Sequence, residues 1–162
     1  NLHPRVNILK PGPGVGGHCI AIDPWFLISS SEKNTNLIKN ARLANLKKTN
    51  WVFERIQEEA AKIKLIIKRE PLIGCLGMTF KPDVDDIRES PAIQIINKLI
   101  ESNLNIIACD PNLDKHENIV IKNLDQLIQG CDLLVFLVSH KEFKKIDIKN
   151  KKFLDFCNVT NS

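Results

Sequence analysis

The fold is decided by residues 72–92, LIGCLGMTFKPDVDDIRESPA. Its first part, Leu72–Gly77, is a continuous apolar run, which predicts a buried strand of a parallel sheet. An irregular acidic loop follows over Met78–Glu89. Ser90-Pro91 then provides an N-cap and a first-turn proline for a helix predicted over Ala92–Ser102. Strand, loop and helix together predict the first unit of a doubly wound α/β fold.

The same pattern repeats towards the end of the chain. Further strands are predicted at Asn105–Cys109, Leu133–Val138 and Phe153–Asp155, with a short helix at Leu124–Gly130. Strands separated by helices imply right-handed crossovers and a Rossmann-like parallel sheet that binds its ligand at the carboxyl ends of the strands.

Before the sheet lies a long amphipathic segment. Apolar residues at helical spacing predict one helix, or two in series, from Thr35 to about Leu65. Asn34, Thr35 or Asn36 could cap it, and Thr49-Asn50 marks a possible break. Its apolar stripe suits either a dimer interface or packing on its own domain. We predict two domains, a helical piece over 1–68 and the α/β domain over 69–162.

A glycine-rich loop precedes this helix, with the sequence PGPGVGGHCIAIDPW over residues 11–25. Gly12, Gly14 and Gly17 have the spacing of a dinucleotide fingerprint, but no buried strand precedes them and Pro13 lies inside the turn. We therefore do not interpret these glycines as an NAD site. The loop must turn tightly and lie close to another surface.

The loop carries Cys19, with His18 before it and Asp23 four residues later. A thiolate is a strong nucleophile, and loop amides, His18 or a helix start could lower the pKa of this thiol. The alternative is a small buried hydrophobic residue, which is the usual role of a free cysteine. The glycines, Asp23 and a stop at Pro24-Trp25 favour the nucleophile.

The predicted strand ends bring polar side chains to one edge of the sheet. They are Thr79, Phe80, Lys81, Asp83, Asp85, Asp86 and Arg88 in the first loop, Asp110 in the second, and Ser139, His140 and Lys141 in the third. Cations beside a capped helix start predict a phosphate or pyrophosphate pocket. A solvated charge cluster that satisfies itself explains the same residues equally well.

Composition narrows the function class. The 162 residues include 23 basic and 19 acidic side chains, a formal charge of +4, without an aromatic-interleaved basic patch, so no nucleic-acid partner is predicted. The 5 cysteines are odd in number and lack CxxC spacing, which predicts reduced thiols in a cytoplasmic protein and no metal site. No apolar run predicts a membrane span or signal peptide.

Two stretches, residues 11–26 and 80–92, resemble the signature sequences of the UDP-glucose/GDP-mannose dehydrogenase family, and HPRVNI at 3–8 adds to the similarity. The resemblance implies an oxidoreductase that uses NAD to convert the C6 alcohol of a UDP-sugar to a uronic acid. It favours UDP-N-acetyl-D-mannosamine, with UDP-N-acetylglucosamine or UDP-glucose as alternatives. It also implies a homodimer, a helical piece of the central dimerisation domain and a UDP-binding domain.

The resemblance also implies residue roles. Cys19 would form the thiohemiacetal and thioester, and Asp23 would position or activate water. Lys81 would contact the UDP-sugar, Asp85, Asp86 and Arg88 would shape the pocket wall, and Arg5 would reach the substrate of a neighbouring subunit. The implied substrate-binding set is Arg5, Gly14, Gly16, Gly17, His18, Phe80, Lys81 and Arg88, with Arg88 also a possible cofactor contact. For His18, loop packing remains an alternative.

The chain departs from the family pattern in two respects. The NAD-binding domain and a helical Lys and Asn of the family have no counterpart here, which predicts that the chain alone is inactive. Asp155-Phe156-Cys157-Asn158 lacks the cation that many members carry there. A non-catalytic module that binds a UDP-sugar and dimerises is the second hypothesis, and a flavodoxin-like domain without a ligand is the third.

Overall fold

The computed structural model describes residues 10–148 and 150–160. Four parallel strands form one sheet in the order β2-β1-β3-β4. The strands are β1 (Leu72–Leu76), β2 (Asn105–Cys109), β3 (Leu133–Phe136) and β4 (Lys152–Asp155), and the helices are α1 (Asp23–Ser30), α2 (Asn36–Ile67), α3 (Pro91–Glu101) and α4 (Leu124–Gly130). Two 3-10 turns lie at Glu32–Asn34 and Lys141–Lys145. The predicted doubly wound α/β class is confirmed.

Two predicted strands are shorter in the structure. β1 stops at Leu76 because Gly77 has φ +93°, outside the extended region. β3 stops at Phe136 because the amides of Leu137 and Val138 both donate to the Leu76 carbonyl, at the end of the neighbouring strand. The polar loops therefore begin where the ladder ends.

The sheet is covered on both faces by apolar side chains. One face packs against α2 and α3, through Val52, Ile56, Ala60 and Ile63 of α2 and Ile95, Ile96 and Leu99 of α3. The other face packs against α4 and the Lys141–Lys145 turn, with Leu127, Phe136 and Phe143 at its centre. Burial on both faces explains why the strands read as continuous apolar runs.

α2 is a single helix of 32 residues, so the possible break at Thr49-Asn50 is wrong. Thr49 stays inside the helix because its hydroxyl donates to carbonyl oxygens and its side chain is buried. Thr35 is the N-cap residue, yet its hydroxyl donates to the Ser31 carbonyl and does not cap the helix. The domain boundary at residue 68 stays a prediction, and the second half of α2 packs on the sheet.

Helix α1 was not expected from the sequence. Pro24 and Trp25 were interpreted as a stop, but Pro24 lies in the first turn of this helix, where a proline costs no hydrogen bond. The short helix packs against α2 and leaves Phe26 and Leu27 exposed.

The remaining apolar stripe of α2 lies on the surface. Leu37, Leu65 and Ile66 are each at least three-quarters exposed, and Leu43, Leu46 and Trp51 are exposed as well. Only a minority of the predicted stripe is buried within this chain. Among the described helices, none is long and apolar enough to cross a bilayer.

Candidate active site

A cleft of about 600 Å³ lies between the glycine loop and the carboxyl end of the sheet. One wall, the glycine wall, consists of residues 10–16 with Ile20. The other, the sheet wall, consists of residues 79–83 after β1 and of Leu137, Val138, Ser139, Lys141 and Lys144 after β3. Pro91, Ala92 and Cys157 complete the lining. The position follows the rule that parallel sheets bind ligands beyond their strand ends.

Two polar residues of α2 hold the glycine wall. The Asn45 side chain accepts a hydrogen bond from the Val15 amide at 2.7 Å and donates to the Val15 carbonyl at 3.4 Å. One turn later, the Thr49 hydroxyl donates to the Pro13 carbonyl at 3.1 Å. This role was not predicted, although polar residues four apart within an apolar helix share one face.

The same loop contacts the second signature segment through residues without a side chain. A Cβ at Gly16 would overlap the carbonyl oxygen of Glu89, and one at Gly17 would lie 2.9 Å from the Phe80 ring. Gly17 has φ +90°, and its amide donates to the Arg88 carbonyl at 3.2 Å. Gly16 therefore requires glycine for space, and Gly17 requires it for space and for backbone conformation.

Cys19 is exposed, so it is not the buried hydrophobic residue of the alternative interpretation. Its carbonyl accepts the amides of Ile22 and Asp23, which forms the tight turn that starts α1. Asp23 lies exposed in the first turn of that helix, where a carboxylate suits the helix dipole. Cys19 itself does not line the cleft, but its neighbour Ile20 does.

An ion pair lies beside Cys19. The Asp86 carboxylate accepts hydrogen bonds from Nε and Nη2 of Arg88, which lower the pKa of Asp86 to about 2, with a smaller effect of the nearby His18 charge. The same pairing raises the pKa of Arg88, and the Cys19 charge adds to that shift. The two signature segments are thus coupled electrostatically, although Arg88 does not line the cleft.

Lys81 has a different environment. This exposed side chain lines the cleft, with its ammonium 5.3 Å from the centroid of the Phe80 ring. The charge cluster after β1 is therefore divided: Asp86 and Arg88 satisfy each other, while Lys81 is presented to the cleft together with Lys10, Lys141 and Lys144. Several cations around a cleft favour an anionic ligand.

Below the sheet wall lies a buried polar cluster. His140 is fully buried, and its Nε2 lies 3.2 Å from both the Asp110 carboxylate and the Thr79 hydroxyl. The Asp110 carboxylate also accepts amide hydrogen bonds from Met78, Thr79 and Asn112. Burial opposes the charge of Asp110, but these donors outweigh it and lower its pKa.

The other four cysteines lie in different surroundings from Cys19. Burial raises the pKa of Cys109 and of Cys131 to about 11, and it raises the pKa of Cys75 still further. Cys157 lines the cleft, and its pKa is also raised, first by burial and then by Asp155. Asp155 is engaged by the amides of Cys157 and Thr160 and by the Thr160 hydroxyl. These four thiols are therefore poor nucleophiles at neutral pH.

The structure brings some of the predicted site residues together. Gly14, Gly16, Phe80 and Lys81 line the cleft, while Gly17 packs on the Phe80 ring. Cys19, His18 and Arg88 lie together outside the lining. Arg5 lies outside the described residues. Lys144 and Cys157 line the cleft and were missed, because their distance from the signatures in sequence hides the contact.

One group of acidic and histidine side chains has the close spacing of metal ligands. Ligand atoms of Asp83, His140 and Glu142 lie within 4.8 Å of one another. However, Nδ1 of His140 accepts the Asp83 amide at 3.0 Å, and the Asp83 carboxylate accepts the Lys141 amide at 3.1 Å. These atoms are occupied by the backbone, and we assign no metal to them.

Comparison with known families gives two matches. Residues 74–162 match the UDP-glucose/GDP-mannose dehydrogenase family, UDP binding domain. Residues 1–47 match the central domain of the same family. The two matches contain the two signature segments, which contact each other through Gly17 and Arg88.

Individual relatives agree with these matches. The UDP-N-acetyl-D-mannosamine dehydrogenase of Campylobacter jejuni is 45% identical over 97% of this chain and 39% of its own length. The UDP-N-acetyl-D-mannosamine dehydrogenase of Methanocaldococcus jannaschii is 42% identical over 99% of this chain and 38% of its own length. The NDP-N-acetyl-D-galactosaminuronic acid dehydrogenase of Ralstonia solanacearum is 40% identical, over 91% and 35%. The chain thus spans about two fifths of the length of the curated relatives that it matches.

Solved structures show the same fold. The UDP-D-ManNAc dehydrogenase of Pyrococcus horikoshii superposes with a TM-score of 0.78 at 29% identity, over 97% of this chain and 38% of that one. The UDP-N-acetyl-mannosamine dehydrogenase Cap5O of Staphylococcus aureus superposes with a TM-score of 0.70 at 34% identity, over 99% of this chain and 37% of that one. Since the UDP-binding domain alone matches more than half of the sequence, the chain belongs to the UDP-glucose/GDP-mannose dehydrogenase family.

Proposed function

We propose that this chain is the nucleotide-sugar-binding part of a dehydrogenase that oxidises the C6 alcohol of UDP-N-acetyl-D-mannosamine to the uronic acid. The observation that carries the proposal is the cleft itself, in which a glycine wall leading to Cys19 lies opposite a sheet wall bearing Lys81. The cleft is wide enough for a nucleotide-sized ligand and carries cations suited to a diphosphate.

The diphosphate would lie on the sheet wall. Lys81, Lys141 and Lys144 line that side, and Phe80 offers an aromatic face beside them. The glycine wall would contact the sugar through backbone groups, since Gly14 and Gly16 leave no side chain in the way. The sugar would then lie on the side of the Cys19 turn, because that turn follows the glycine wall directly in the chain.

Cys19 would act on C6 at the aldehyde oxidation level. Addition of its thiolate to the aldehyde forms a C–S bond and a thiohemiacetal. Loss of a hydride from C6 to an acceptor held outside this chain, with loss of the hydroxyl proton, would leave a thioester at the acid level. Water cleaves that bond, which releases the carboxylate and returns the thiol. Asp23, exposed in the first turn of α1, is proposed to position the water.

NAD enters this proposal through the family resemblance, as the acceptor of the two hydrides that leave C6. The described residues do not fit this cofactor, because Gly12, Gly14 and Gly17 do not open a helix: α1 begins only at Asp23. We therefore assign to this chain only substrate binding and the covalent step at Cys19.

The proposed enzyme is a homodimer. The exposed apolar side chains of α1 and α2, including Phe26, Leu37 and Trp51, support an interface on that side of the molecule. The face of α2 that packs on the sheet is not available for such an interface, since its residues Val52 and Ile56 are fully buried.

Calorimetry tests the binding part of this proposal. UDP is expected to bind this chain, and NAD is expected not to bind. Replacing Lys81 by Met should weaken UDP binding about tenfold, the cost of one charge-assisted contact. Lys145→Met is the matched control, because Lys145 is an exposed lysine next to Lys144 that does not line the cleft. Equal UDP affinity of both variants would contradict the placement of the diphosphate.

The chemical part needs a protein that carries this chain together with an NAD-binding domain. There Cys19→Ser should lower uronate formation by at least about a thousandfold, because an alcohol is a much weaker nucleophile than a thiolate. Cys131→Ser is the control thiol, buried under the sheet. Assays with the N-acetylmannosamine, N-acetylglucosamine, N-acetylgalactosamine and glucose forms of the UDP-sugar test the substrate.

A non-catalytic UDP-sugar-binding module is the second candidate, favoured by the position of Cys19 outside the cleft lining. It predicts the same UDP binding but no uronate formation, with or without Cys19, by the protein that carries this chain together with an NAD-binding domain. The two candidates are therefore separated by the assay for uronate formation and not by calorimetry.

A further inference from the structure

His140 is the one side chain, within the described residues, that bonds to the loops after β1 and β2 while belonging to the loop after β3. Its contacts include Thr79 and Asp83 from the first loop and Asp110 and Asn112 from the second. The ring is fully buried and packs edge-on against Phe143 at 5.3 Å.

The backbone defines the protonation of this ring. The Asp83 amide donates to Nδ1 at 3.0 Å, so Nδ1 must be an acceptor. The ring proton then lies on Nε2, where it faces the Asp110 carboxylate and the Thr79 hydroxyl. Thr79 directs its own hydrogen to the Lys81 carbonyl at 2.9 Å. The neutral Nε2–H tautomer satisfies every one of these contacts.

The segment 79–83 is consequently held at both ends. At its start, the Asp110 carboxylate accepts the amides of Met78 and Thr79. At its end, Nδ1 of His140 accepts the amide of Asp83. Between these two anchors lie Phe80 and Lys81, which line the cleft. Asp83 is exposed, and its carboxylate lies 3.7 Å from the same ring nitrogen.

We propose that His140 is a positioning residue for UDP binding: its Nδ1 holds the end of segment 79–83 so that Lys81 meets the diphosphate in a fixed place. The inference rests on the proposed function, because it assumes that Lys81 contacts the nucleotide. On this proposal, the buried ring contributes to UDP affinity as well as to the packing of the core.

Two substitutions separate the two ring nitrogens. In H140N, the amide oxygen can take the place of Nδ1 and accept from Asp83, but the donor to Asp110 is lost. In H140Q, the longer amide can donate to Asp110, but the acceptor for Asp83 is lost. Both variants remove the ring and its contact with Phe143, so they serve as controls for each other.

Calorimetry with UDP on the folded variants gives the first readout. H140Q is expected to bind UDP about tenfold more weakly than the wild type, because the ligand must then order the segment itself. H140N is expected to recover most of that loss. Equal weakening in both variants would overturn the proposal, because affinity would then follow packing, and so would unchanged affinity in H140Q.

Amide hydrogen exchange of Asp83 gives a readout that does not depend on UDP. The amide should exchange slowly in the wild type and in H140N, and at least about tenfold faster in H140Q. If UDP does not bind the wild type, the proposed function fails while this exchange pattern still tests the anchor. If neither variant folds, the ring nitrogens of the wild type are assigned by NMR: an Nε2–H tautomer supports the anchor, and an Nδ1–H tautomer overturns it.

Discussion

The two walls of the cleft are held in place by different forces. The glycine wall has hydrogen bonds to α2, but it is also fixed by close packing, since Gly16 and the adjacent Gly17 leave no room for a methyl group beside Glu89 and Phe80. The sheet wall is fixed by buried hydrogen bonds that converge on Asp110 and His140. The first wall should therefore respond to added volume, and the second to a change of charge or hydrogen-bonding pattern.

The largest effect is expected from adding volume to the glycine wall. Gly16→Ala should lower the free energy of unfolding by about 3 kcal/mol, because its Cβ would overlap a backbone carbonyl that a side-chain rotation cannot move away. Urea denaturation measures this loss. Gly12→Ala is the matched control, with no atom within 4 Å of its added Cβ, and should stay within about 0.5 kcal/mol of the wild type. Equal free energies of unfolding for the two variants would show that steric crowding at Gly16 does not fix the glycine wall.

The second-largest effect is expected from removing the buried charge of Asp110, which holds the sheet wall through hydrogen bonds. Asp110→Asn should cost about 2 kcal/mol at neutral pH, because amide and imidazole donors lose a buried charged acceptor. Folding lowers the pKa of Asp110. Its stabilisation is therefore fully present above the unfolded value of about 3.9 and is lost as the pH falls through the folded value.

The stability gap between the wild type and Asp110→Asn should accordingly narrow as the pH is lowered from neutrality to acid. Urea denaturation at a series of pH values measures it. A gap that stays constant down to the acid end would show that the carboxylate charge does not stabilise this wall.

A smaller effect is expected where α2 holds the glycine wall by hydrogen bonds. Asn45→Ala should cost about 1 kcal/mol, because the Val15 amide loses its acceptor. Asn40→Ala is the control on the same helix: its exposed side chain bonds only within α2, and both changes raise helix propensity equally. The difference between the two free energies of unfolding isolates the loop contact. A difference near zero would assign the position of the wall to packing alone.

The smallest effect calibrates the steric argument. Gly130 ends α4, away from both walls, and a Cβ there meets no atom within 4 Å. Gly130→Ala should raise stability by about 0.5 kcal/mol, because alanine loses less entropy on folding. Thermal unfolding detects this as a higher Tm. A loss of stability would show that the cost of Gly16→Ala is not specific to the crowded wall.

Patterns that depend on neighbouring residues predicted their features well. Ser90 accepts a hydrogen bond from the Ile93 amide as the predicted N-cap, and β2 and α4 have the predicted bounds. The helix α1 was missed because Pro24 is equally compatible with a stop and with a first helical turn. The exposed part of the α2 stripe was recognised as apolar, but periodicity alone does not say what covers an apolar face.

The candidate site was predicted in part. Both signature segments were identified, and Gly14, Gly16, Phe80 and Lys81 do line one cleft. The pairing of Arg88 with Asp86 agrees with the alternative of a self-satisfied charge cluster, although the two partners were not named in advance. The anchoring by Asn45 and Thr49 and the contribution of Lys144 were not predicted. These contacts join residues that are distant along the chain or that have several possible partners, so their spacing carries no signal.

The sequence by itself determined the alternation of strands and helices, the glycine turn before Cys19 and the family to which the chain belongs, because these depend on local backbone preferences and on residue order. Tertiary structure alone decided that Gly17 lies against Phe80, that Lys81 and not Arg88 lines the cleft, and that His140 connects three loops. The physical reason is that hydrogen bonds and steric contacts act over a few ångströms in space, whatever the separation of the residues in the chain.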